Sequence, residues 1–210
     1  MRRPALLACV IAALAATGIV VGCASATSDA ETQAAATAML KASFKPRGQA
    51  GLDRLDQDET QKLCSEYAGK TLPKDVAARI ERANLETIRW PADGTLVGDW
   101  KAGEKIAQEG RGMQYSDDPK LPAGANCYAC HQLSPQELSY GTIGPSLYRF
   151  GKTRGYTDEM RKYAYGKVWN ADAYSACTNM PRFGHKGILT EQQVKDVAAL
   201  LMDPQSPVNK

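Results

Sequence analysis

The longest uncharged stretch of the 210-residue chain lies at its start, where Ala5 to Gly22 is almost wholly apolar. Arg2 and Arg3 precede it, and small residues follow. A basic head, an apolar run and a small-residue exit describe a secretory signal. The competing reading is an uncleaved anchor, because a run of this length reaches across a bilayer when tilted. Two cleavage sites compete as well. Val20-Val21-Gly22-Cys23 resembles a lipobox and would leave Cys23 as a lipid-modified N-terminus. Ala24-Ser25-Ala26 is a small-x-small site with Thr27 as the mature start, and it is the preferred reading. The Arg2-Arg3 pair is a weak twin-arginine signal, since Pro4 follows. Each cleaved route exports the mature chain to the periplasm, with no stable membrane span expected.

Beyond the signal the apolar spacing is helical, and no segment alternates as a strand does. Residues 29–44, rich in Ala, Met and Leu, predict a helix that Lys45-Pro46-Arg47-Gly48 breaks. A second helix is expected over 53–67, ended by Gly69. A third follows Pro73, with Val76, Ala77, Ile80 and Ala83 as its apolar stripe. Pro91 and Asp93-Gly94 mark a boundary. Trp100–Gly110 and residues 157–169 predict two more helices. In the last one, Val194, Val197, Ala198 and Leu201 share a face. Thr190 and Gln193 form its capping box, and Pro204 stops it. The expected fold is all-α: a signal over 1–26, a helical N-terminal extension over 27–93, and a helical domain over 94–210. The extension shows no recognisable chemistry and reads as a packing or docking element.

Charge narrows the partners. The formal charge of +3 falls to +1 once Arg2 and Arg3 leave with the signal, so nucleic acid is not implied. Of the six cysteines, Cys9 leaves with the signal, and so does Cys23 if cleavage follows Ala26. Cys127 and Cys130 belong to a CxxCH motif. Cys64 and Cys177 remain, and in an oxidising compartment they are expected to form a disulfide. It would close a loop of more than a hundred residues, worth about 4–5 kcal/mol in the chain-entropy description. The alternative is two unpaired thiols.

Cys127-Tyr128-Ala129-Cys130-His131 carries the strongest chemical signal. Two thiols at this spacing add to the two vinyl groups of one haem, and the adjacent histidine is carried to the iron. A zinc site would need a second ligand pair, and a thioredoxin-like site would need a βαβ setting. One covalent haem c is therefore expected. Gly144-Pro145-Ser146-Leu147 lies thirteen to sixteen residues beyond His131. An axial histidine needs an acceptor for its other ring nitrogen, and the stiff Pro145 backbone supplies a carbonyl with a fixed direction. For the sixth ligand the candidates are His185 and Met39, Met113, Met160, Met180 and Met202. Met180 is preferred, because Thr178-Asn179-Met180-Pro181-Arg182-Phe183-Gly184 is a stiffened loop just before the last helix. The metal ligands would then be His131 and Met180. Such an iron is closed to substrates and suited to moving electrons, with a potential above that of a bis-histidine centre. Aromatic residues such as Tyr148, Phe150, Tyr156 and Trp169 suit pocket walls and core. Lys152, Arg154 and Arg182 are possible propionate partners, none singled out.

Residues 99–203 resemble a class I cytochrome c, with an N-terminal helix, CYACH, GPSL, a methionine-proline loop and an amphipathic last helix. More narrowly, Ala176-Cys177-Thr178-Asn179-Met180-Pro181-Arg182-Phe183-Gly184-His185 is similar to the SoxX family, the monohaem subunits of SoxAX cytochromes. The extension is longer than a minimal SoxX requires. The resemblance implies a heterodimer with a SoxA-type subunit, acting together as an L-cysteine S-thiosulfotransferase. In that reaction thiosulfate is joined oxidatively to a cysteine of the SoxYZ carrier and two electrons are released. The bond chemistry would belong to SoxA. This chain would accept electrons and pass them to a soluble cytochrome c, with no catalytic acid or base of its own. It also implies Cys127 and Cys130 as attachment sites and His131 and Met180 as axial ligands. The alternative is a free-standing or lipid-anchored electron-shuttle cytochrome.

Overall fold

A computed structural model describes residues 28–210. The signal peptide and the Cys23 and Thr27 starts lie outside the described residues. Helices account for the regular structure. Among the described residues the one strand-like pairing is an isolated antiparallel bridge between Arg47 and Ala50. The all-α expectation is met. No described helix is long and apolar enough to cross a membrane.

The chain divides into two compact units at Ser43/Phe44. The first contains α1 (Asp29–Ser43), an alanine-rich helix with Asp29 and Glu31 in its first turn and Lys41 in its last. Those charges complement the helix dipole. Ser28 and Glu31 cap one another: the Glu31 N–H donates to Ser28 Oγ at 3.2 Å, and the Ser28 N–H donates to Glu31 Oε2 at 2.8 Å.

The second unit, Phe44–Lys210, carries six helices: α2 (Glu59–Glu66), α3 (Lys74–Leu85), α4 (Trp100–Gln108), α5 (Phe150–Arg154), α6 (Asp158–Trp169) and α7 (Glu191–Met202). The helix expected over 53–67 splits into a 3-10 turn at Leu52–Leu55 and α2. The break comes from Asp58, whose Oδ1 accepts the Gln61 N–H at 3.0 Å as an N-cap. Helix α5 was not expected; five residues are too few to show a period. Residues 44–93, read from sequence as part of a separate extension, belong to the same compact unit as the remainder.

Two seams build this unit. The first is the crossing of α4 and α7. A Cβ on Gly103 would lie 2.1 Å from the Asp196 carbonyl oxygen, so the two backbones approach as closely as glycine permits. Asp196 Oδ1 accepts the Asp99 N–H at 2.9 Å and so ties the start of α4 to the same place. Around the crossing lie Ala107, Val194, Ala198 and Leu200, each with no measurable exposure.

The second seam joins α3 to the end of α6. Asn84 and Asn170 are buried, and polar groups in that position must be bonded. Asn84 Nδ2 donates to Thr60 Oγ1 and to the Ile80 carbonyl, both at 2.8 Å. Asn170 Nδ2 donates to Asn84 Oδ1 and to Thr87 Oγ1, both at 2.9 Å. The C-terminal residues close the unit from the other end: Ser206 Oγ donates to the Leu200 carbonyl at 2.6 Å, and the Arg149 N–H donates to the Val208 carbonyl at 2.7 Å.

Gly103→Ala forces α4 away from α7 and is expected to lower stability by roughly 1–3 kcal/mol, measured by denaturant unfolding.

Candidate haem-attachment site

Asn126 turns the chain through the left-handed region at φ 45° and starts a 3-10 turn over Cys127–Ala129. The Cys130 and His131 N–H groups donate to the Cys127 carbonyl at 3.1 and 2.9 Å. In such a turn side chains three apart eclipse one another, so Cys127 and Cys130 share one side. Both are unpaired thiols, half-buried. Desolvation around the Cys127 sulfur pushes that thiol up to about 12, so it is neutral at ordinary pH.

The loop after His131 folds back on this turn. The Gly141 N–H donates to the Tyr128 carbonyl at 2.8 Å, the Gly144 N–H to the Cys130 carbonyl at 2.9 Å, and the Leu147 N–H to the Gln132 carbonyl at 2.8 Å. These bonds carry Pro145 to the imidazole, and His131 Nδ1 lies 2.7 Å from the Pro145 carbonyl oxygen. A carbonyl only accepts, so Nδ1 carries the proton and Nε2 keeps its lone pair for a metal. The ring lies flush against the backbone, since a Cβ on Gly144 would sit 2.1 Å from His131 Cε1.

Met180 is half-buried and packs against the apolar cluster that Cys127 also joins, with Tyr128, Trp169, Phe183 and Leu201 among its members. The other methionines lie on helices or outside the cluster. Met39 is exposed on α1, Met202 is buried in α7, Met160 packs on the cluster from α6, and Met113 stands outside it. His185 is half-buried beside Arg182 and Lys186, and its backbone N–H donates to the Trp169 carbonyl at 3.0 Å. Burial, with those two cations, holds its imidazole below the ordinary histidine value.

The loop bearing Met180 is held on both flanks. Cys177 is disulfide-bonded to Cys64 of α2, with a Cα–Cα distance of 5.4 Å. Arg182 is 8 % exposed and lies between Asp58 at 2.6 Å and Asp172 at 3.5 Å. It is therefore committed to carboxylates of the chain rather than free for a propionate. Lys186 also reaches Asp58, at 2.7 Å. Burial raises the Asp58 carboxyl, but Lys186, the Gln61 N–H and Arg182 outweigh it and hold it at about 2. Asp172 lies above the ordinary carboxylate value because burial outweighs the Thr178 N–H and Arg182. Sequence reasoning missed Asp58, Asp172 and Glu81, whose Oε1 accepts the Ala176 N–H of the same loop at 3.2 Å. For Asp58 a local signal existed, the Asp-x-x-Gln cap; for the other two there was none.

The chain fits a haem on an observation independent of the motif. Trp169 Nε1 is buried and meets no acceptor among the described residues, which fits a site where a bound group supplies the partner. Two thiols in one turn, a histidine with its Nδ1 engaged, a thioether on the same apolar cluster and this unmet indole N–H describe a c-type cytochrome. Residues 120–203 match the cytochrome c family. A protein of Aquifex aeolicus (strain VF5) described as an uncharacterized lipoprotein is 37 % identical over 158 residues, covering 73 % of each chain. Residues 120–203 form a cytochrome c family domain, which makes the protein a c-type cytochrome and implies covalently bound haem c. Cys127 and Cys130 would hold the macrocycle, and His131 with Met180 would flank its iron. When bound, the haem supplies a one-electron couple.

Gly144→Ala is expected to push the imidazole off the Pro145 carbonyl. The measurable result is a lower yield of haem-loaded protein and a shifted reduction potential. Asp58 adds stability that is fully present above about pH 4. That contribution is lost as pH falls toward about 2, because its carboxyl titrates lower in the folded chain than in the unfolded one. The stability gap between wild type and Asp58→Asn should accordingly narrow between pH 5 and pH 2.5 in thermal unfolding.

Proposed function

We propose that the protein is an exported monohaem electron-transfer subunit of the SoxAX type. The reading rests on one observation above the others: Met180 packs on the same apolar cluster as the haem-attaching Cys127, in a loop tied down at Cys177 and Arg182. A thioether held there closes the iron to substrates, and a closed iron relays electrons. Thiosulfate oxidation then belongs to a SoxA-type partner. Joining thiosulfate to a carrier cysteine of SoxYZ makes one S–S bond and releases two electrons. This chain takes those electrons singly and hands them to a soluble cytochrome c in the periplasm. The segment 44–93, folded into the same unit as residues 94–210, suits a lasting interface better than a brief encounter.

A second reading is a lipid-anchored cytochrome that shuttles electrons alone. The name of the Aquifex relative, a lipoprotein, favours it, and so does the Cys23 lipobox.

Purification from the native periplasm separates the two. The SoxAX reading expects a haem-bearing partner to co-purify, and reduction of this chain by thiosulfate only when partner and carrier are present. A stable monomer whose mature N-terminus is a diacylated Cys23, unresponsive to thiosulfate, would establish the second reading instead. In either case Met180→Ala should abolish the methionine-to-iron charge-transfer band of the oxidised protein and lower its potential. Persistence of that band would refute Met180 as the ligand.

A further inference from the structure

Helix α2 lies between the two anchors of the Met180 loop. At its N-terminus Asp58 divides its carboxylate. Oδ1 caps α2 through the Gln61 N–H, while Oδ2 takes Arg182 at 2.6 Å and Lys186 at 2.7 Å. Toward its C-terminus Cys64 holds Cys177 through the disulfide. Asp58 and Cys64 are six positions apart, roughly 9 Å of helical rise. The anchored positions, Cys177 and Arg182, bracket Met180 by three residues on one side and two on the other. Further bonds reach the same loop. The Ala176 N–H donates to Glu81 Oε1 of α3 at 3.2 Å, and the Thr178 N–H to Asp172 Oδ1 at 3.2 Å. Asp58, Cys64 and Glu81 all come from the segment that showed no chemistry in sequence.

We infer that α2 is a splint for the sixth ligand: Asp58 and the Cys64–Cys177 disulfide are positioning groups that keep the Met180 loop closed on the haem. The inference rests on Met180 being that ligand. A loop of this kind has an open state in which the thioether has left the iron. An outside ligand such as imidazole binds only that state, so its apparent affinity is scaled by the open fraction. Each anchor lowers the open fraction, because freeing the loop means separating a fixed pair: a covalent link at Cys177, and at Arg182 a largely buried guanidinium facing two carboxylates.

Imidazole titration of the oxidised holoprotein tests this, followed by the Soret shift and by loss of the methionine charge-transfer band. Four variants are compared with wild type: Asp58→Asn, the double Cys64→Ser/Cys177→Ser, Met180→Ala and Gly103→Ala. The double variant is expected to bind imidazole about tenfold more tightly or better, and Asp58→Asn about threefold, with covalent haem retained by mass. Gly103→Ala weakens the fold at the α4–α7 crossing and should leave imidazole affinity unchanged. That separates a splint from general stability. Met180→Ala sets the limit of an unprotected iron. If Met180→Ala binds more tightly than wild type while both splint variants match wild type, the splint is overturned and the ligand assignment stands. If Met180→Ala itself matches wild type, the ligand assignment fails. If Gly103→Ala gains as much affinity as the splint variants, the effect is global softening and the splint is again overturned.

Discussion

The Nδ1–H of His131 faces the Pro145 carbonyl oxygen at 2.7 Å, and the proximal half of the site is built to keep that bond in place. The turn that brings two cysteines to one side also sends His131 past them. The backbone bonds from Gly141, Gly144 and Leu147 then return the chain so that Pro145 meets the ring. Gly144 allows the approach because it has no side chain to intrude on the imidazole. The tautomer, the ring angle and the availability of Nε2 follow from this single contact.

The Met180 loop is organised on another principle. His131 is held by its sequence neighbours, whereas the loop carrying Met180 is held by distant ones. Cys64 and Cys177 are 113 residues apart, and Asp58 reaches Arg182 across 124. Long-range ties of this kind cost more chain entropy than local turns, and a covalent bond and a shared, partly buried carboxylate are what meets that cost here. Residues 44–93 thereby supply Asp58 and Cys64, which tie down the Met180 loop, while α1 lies in the other compact unit.

How much was legible beforehand follows from this contrast. Helices α1, α3, α4, α6 and α7 could be read within a few residues of their ends, because their apolar stripes and caps lie within the segment itself. The Pro145 acceptor was legible because the short, proline-stiffened loop after CYACH returns its carbonyl to His131. The 53–67 segment was misjudged because Asp58 favours a cap over continued helix. Arg182 reads in sequence as a propionate candidate, since nothing near it in the chain reveals Asp58 or Asp172. The unmet indole of Trp169 is invisible without three dimensions: a tryptophan in sequence does not disclose whether its N–H finds an acceptor.

Whether His131 and Met180 close the iron with one nitrogen and one sulfur is tested most directly by iron-edge X-ray absorption of the oxidised, haem-loaded protein. The expected result is a six-coordinate iron with a single sulfur scatterer alongside the macrocycle nitrogens and one imidazole nitrogen. A first shell made only of nitrogens, or a five-coordinate iron, would contradict it.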